Sequence, residues 1–132
     1  MSAIGGYVFD DSLDASADLS AKQFYAVKQH TVEGQCALGA AVTDVVYGIL
    51  QNKPKAGETA NIRVVGLAKA IAKGDGTAIA INDKLGTDAN GKLVKAHTAD
   101  RPICAIAKQA CTIDGGIIEV LMIPGSVYRV PA

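Results

Sequence analysis

Residues 47–70, YGILQNKPKAGETANIRVVGLAKA, run from a short apolar stretch through a polar, Gly-containing break into a longer alternating stretch. That is the pattern of a strand, a turn and a second strand. Residues 103–122, ICAIAKQACTIDGGIIEVLM, repeat it. Setting Tyr47, Ile49 and Leu50 against Cys104, Ile106 and Ala107 gives an offset of 57; with one extra residue in the second turn, Gly57 then falls on Gly115, Ile62 on Val120 and Val64 on Met122. Each loop ends in Gly, which accepts the positive φ of a chain reversal. A duplicated hairpin and a chance likeness between two hairpins both account for the match.

The same reading predicts strands near Phe24–Lys28, Val45–Gln51, Asn61–Lys69, Ala78–Asp83, Lys92–Ala96, Ile103–Lys108 and Ile117–Ile123. KGDG, DANG and DGG bound the apolar runs. Ile117, Leu121 and Ile123 alternate with Ile118, Val120 and Met122, so the last strand is apolar on both faces. The expected fold is therefore all-β, a compact small β-barrel or β-sandwich with duplicated hairpins as one option. LAKAIAK and AIAKQA have helical intrinsic preference, and one short helix there is the alternative.

Before Lys22 the texture differs. Met1 to Ala21 carries Asp10, Asp11, Asp14 and Asp18 but no Lys or Arg, which predicts a flexible N-terminal arm (1–21) ahead of a β-rich domain (22–132). The 132 residues suit one domain. Lys plus Arg equals Asp plus Glu at 13 each, and aromatics are 5%, which argues against a nucleic-acid partner. No basic start with a long apolar run, and no stretch of about 20 apolar residues, predicts a protein that is neither exported nor in a membrane.

Candidate chemistry is sparse. Gly74-x-Gly76 lacks the third Gly of a phosphate cradle, and Asp83, Asp88 and Asn90 lack the order of a calcium loop; Asn90–Gly91 is a turn signal. His30 and His97 form no two-ligand helical pattern, and Cys36, Cys104 and Cys111 match no zinc spacing. Free, buried thiols are expected. Ser residues lie only in the terminal segments, with no nucleophile-elbow pattern. The expectation is a protein that is not an enzyme and has no catalytic residue, metal site or cofactor.

DLSAKQFYAVK (18–28), YGILQNKPKAGETANIRVVGLAKA and GGIIEVLM (115–122), in that order, resemble the capsid cement, or head-decoration, proteins of tailed bacteriophages. The resemblance covers roughly residues 18–123. It implies a structural virion protein, made in the host cytoplasm, that binds the outer surface of the phage head at sites between major capsid proteins. It further implies that the protein stabilises the shell, and that a homo-trimer forms on the capsid. The terminal segments match nothing in that family.

Within the arm, Tyr7, Val8 and Phe9 form a short β-prone apolar patch before Asp10 and Asp11. These five residues are the candidate capsid contact: disordered alone, the segment gains a strand pairing when bound, with the acids meeting basic groups of the capsid. The competing reading from another class is a lipoyl- or biotinyl-like carrier, or a small-molecule-binding β-domain, displaying Lys84 near a hairpin.

Overall fold

The computed structural model describes residues 8–96 and 101–123. Within them the chain is all-β, with no helix. Nine strands form in chain order: β1 Phe9–Ala15, β2 Ala26–Gln29, β3 Gln35–Leu38, β4 Gly48–Leu50, β5 Thr59–Lys73, β6 Lys84–Thr87, β7 Leu93–Lys95, β8 Ala105–Ala107 and β9 Asp114–Met122.

The pairings close two rings that share one strand. The first runs β1, β3, β2, β4, β5 and returns to β1; the second runs β5, β7, β6, β8, β9 and returns to β5. In each ring the first strand is parallel to the third, and every other pair is antiparallel. The N-terminal half of β5 is thus the last strand of one barrel, and its C-terminal half is the first strand of the next. Closure leaves neither barrel with an open sheet edge.

The registers repeat as well. Ala15↔Cys36 is matched by Ala72↔Leu93, and Val27↔Gly48 by Leu85↔Ala105. Leu50↔Ile62 is matched by Ala107↔Val120, and Asp10↔Arg63 by Leu67↔Leu121. The two hairpins read in the sequence are the β4–β5 and β8–β9 pairs, in the same register. The repeat extends beyond them to all five strands of each barrel. Gly57, in the turn before β5, and Gly115, at the irregularity where β9 begins, both have φ of 82°, so the two equivalent positions need Gly for the same reason.

Side chains at alternate positions fill each interior. Ala15, Val27, Cys36, Leu50, Ala60 and Ile62 build the first core; Ala72, Leu85, Leu93, Ala107, Ile118 and Val120, at the equivalent places, build the second. Fully burying each of the larger aliphatic side chains contributes about 1.5–3 kcal/mol. The second core also takes in Ala26, Val46 and Ile49 from the first barrel. The barrels therefore pack on each other as one body.

Several expectations change. LAKAIAK lies wholly within β5, because Ala68, Ala70 and Ala72 enter the second core at every second position and that period overrides helical preference. Ala78–Asp83 is not a strand: Ile79 makes one bridge to Cys111, and Asn82 at φ 74° with Asp83 forms a turn ahead of β6. The arm expected over 1–21 is, from Phe9 onward, part of the first barrel. Six residues of β1 pair with β5, and Ala15 and Leu19 are core residues. Its acids hid this because Asp10, Ser12 and Asp14 face outward while Leu13 and Ala15 face in.

Candidate interaction surface

The N-terminal end of β1 places four of the five candidate contact residues; Tyr7 lies outside the described residues. Val8 and Phe9 are about half exposed, and Phe9 pairs across the sheet with the exposed Val65. Together they make a small apolar patch at one end of the first barrel.

The two acids are engaged within the chain. Asp10 receives a two-pronged hydrogen bond from Arg63, Nε to Oδ1 at 2.7 Å and Nη2 to Oδ2 at 3.0 Å. Arg63 Nη1 also donates to the Leu67 carbonyl at 2.9 Å. The hydrogen bond from Arg63 holds the Asp10 carboxyl below its ordinary range, and the same contact raises the guanidinium. Asp11 accepts a hydrogen bond from the Tyr47 hydroxyl, which pushes that hydroxyl up to about 12. Tyr47 packs on the first core, so the Asp11–Tyr47 pair closes its end. Asp10 and Asp11 thus brace β1 against β5 and the β4 hairpin.

Among the described residues, which do not include His97, the chemistry-bearing side chains do not converge. Cys36, Cys104 and Cys111 are free and buried. Burial pushes the Cys104 thiol up to about 12 and raises that of Cys36, so neither is a thiolate near neutrality. Among the described residues no group of three or more His, Cys, Asp and Glu side chains could share a metal ion. Lys84 opens β6 and pairs with Ile106, away from the hairpin tip at Asp88–Gly91 where a carrier lysine would be displayed.

A larger apolar surface lies on the outside of the second barrel. Leu67↔Leu121, Lys69↔Glu119 and Ile71↔Ile117 are opposed on the outward face of β5 and β9. Leu121 is 39% exposed and Ile117 is 54% exposed. Ile106 of β8 pairs with Leu121 and extends the face. The Phe24 ring lines the shallow groove beside Lys69, Ile117 and Glu119. The alternation in residues 117–123 signalled two apolar faces; only the face bearing Ile118, Val120 and Met122 is buried. Leu67 and Ile71 were hidden in a run that also reads as a helix.

These features define a class of protein: two fused five-stranded barrels whose distinctive surfaces are apolar patches. No family model and no curated protein matches the chain. Among solved structures, the chain is similar to the N base of the head fiber protein gp8.5 of bacteriophage phi29, with a TM-score of 0.66 and 12% sequence identity. The match covers 90% of this chain and 97% of that one. A match of that extent takes in both barrels, so the likeness is one of whole fold.

Proposed function

We infer that this protein is a structural component of a phage virion, attached to the outer surface of the head through the major capsid protein, where it stabilises the shell. The observation that carries this reading is the shared two-barrel fold with the base of a head fiber, over nearly the full length of both chains. The buried thiols and scattered titratable groups suit a protein whose work is done by shape rather than by a reacting group. On the head it assembles as a trimer, and the Val8–Phe9–Val65 patch is its capsid contact, with Tyr7 adjoining in sequence.

A shell that binds this protein only when assembled is stabilised in proportion to the logarithm of saturation. The test is to add purified protein to heads lacking it and follow DNA release on heating. Bound protein and a raised release temperature are expected. Absence of binding overturns the reading, and binding with an unchanged release temperature overturns the stabilising role.

A further inference from the structure

The internal repeat supplies a control that a single barrel lacks. Each outward position on β5 and β9 of the second barrel has a counterpart on β1 and β5 of the first, in the same register. Where the first barrel has Asp10 opposite Arg63, the second has Leu67 opposite Leu121. Ser12 opposite Asn61 becomes Lys69 opposite Glu119, and Asp14 opposite Thr59 becomes Ile71 opposite Ile117. The fold therefore tolerates polar residues at every one of these places, and closing the barrel does not explain four large aliphatic side chains on its outside.

Ile106 gives a further comparison. Its counterpart Ile49 is fully buried, covered by the second barrel, whereas Ile106 remains partly exposed. Phe24 borders the same face with φ of 72°, a conformation in which a bulky side chain is strained, while its counterpart Asn82 is suited to it.

We propose that this face, centred on Leu67, Ile71, Ile117 and Leu121, binds the same face of a second copy of this chain, around a symmetry axis running along β5 and β9. Charge complementarity selects the occupant. The face is layered along the strands: an apolar level of Leu67 and Leu121, a charged level of Lys69 and Glu119, and an apolar level of Ile71 and Ile117. An axis along the strands keeps each level against its own kind and brings β5 of one copy to β9 of the next. Lys69 then meets Glu119 across the contact in a two-fold or a cyclic three-fold arrangement. An axis across the strands would set Lys69 against Lys69. Within one chain the Glu119 carboxylate lies 3.7 Å from Lys108, and both side chains are about half exposed, so this loose pair can yield to a lysine of the neighbouring copy.

The inference gives the trimer of the proposed function its contact surface, but it is tested without heads. Sedimentation equilibrium of the purified protein should show a stoichiometric oligomer. Ile117→Asp with Leu121→Asp should give a monomer with an unchanged β circular-dichroism spectrum, since both positions are exposed. Lys69→Glu and Glu119→Lys should each weaken association by about tenfold or more, and the double reversal should restore it.

A wild type that stays monomeric at about 1 mM overturns the inference, as does an oligomer indifferent to the Asp variants or a double reversal without rescue; about 1 mM is far above the range of specific assembly. A monomer that still decorates heads overturns this contact alone. An oligomer of the expected kind that fails to decorate heads overturns the proposed function alone.

Discussion

Phe24 and Asn82 occupy the same place in successive barrels and share a left-handed backbone, with φ of 72° and 74°. The amide of Phe24 donates to the Leu50 carbonyl at 2.7 Å, and that of Asn82 to the Ala107 carbonyl at 2.8 Å; Leu50 and Ala107 are themselves counterparts. The turn before the second strand of each barrel is thus one structure made twice, with an apolar ring in one copy and a small amide in the other.

That pair predicts that neither residue can replace the other without loss. Asn82→Phe should destabilise the protein by about 1 kcal/mol, because a bulky side chain in the left-handed region is strained and this exposed position offers no packing in return. Phe24→Asn should relieve a similar strain yet still lose about 1 kcal/mol, since the ring packs on the second core and burial of a Phe contributes about 1.5–3 kcal/mol. Urea denaturation of the two variants checks both signs.

Gly57→Ala and Gly115→Ala should cost about 1 kcal/mol each, and nearly the same amount as each other. A Cβ at either site meets nothing within 4 Å, so the penalty is the backbone conformation alone. The double variant should lose the sum, because the two sites are independent. Unequal losses in urea melts would argue against equivalent backbone sites.

Acid should weaken the hold of β1 on β5. The folded carboxyl of Asp10 is depressed by its hydrogen bond from Arg63, so its contribution is present above the unfolded value near 4 and lost as pH falls through the lower folded value. Both side chains retain contact with water, so the effect is under about 1 kcal/mol. Asp10→Asn should flatten the dependence of stability on pH between about pH 4 and pH 2, measured by denaturant midpoints.

Removing residues 1–7 and removing residues 1–16 should have different consequences. The longer deletion takes β1 and opens the first barrel, stripping Leu13 and Ala15 from its core and leaving the outer edge of β5 unpaired. Loss of the cooperative unfolding transition is expected for it and not for the shorter one. A 1–16 deletion that melts like the full chain would show that the barrel does not depend on β1.

All three thiols should resist modification in the native protein at pH 8 and react only on unfolding. Cys104 is fully buried and its thiol is pushed up to about 12, and Cys36 and Cys111 are also buried. Titration with a chromogenic disulfide reagent, with and without denaturant, reads this directly.

The sequence by itself determined the fold class, the two matched hairpins and the Gly-marked turns, because period-two alternation and positive-φ positions are local properties written in neighbouring residues. Tertiary structure decided the rest. β1 was illegible because three of its outward residues are polar and its inward ones are few; only pairing with β5 makes it a strand. β3 and β6 are four residues each, too short to carry a period. The fusion of two barrels through β5 depends on contacts between residues far apart in the chain. Whether Leu121 or Val120 faces water depends on which side of β9 the ring closes, and alternation alone is blind to that choice when both faces are apolar.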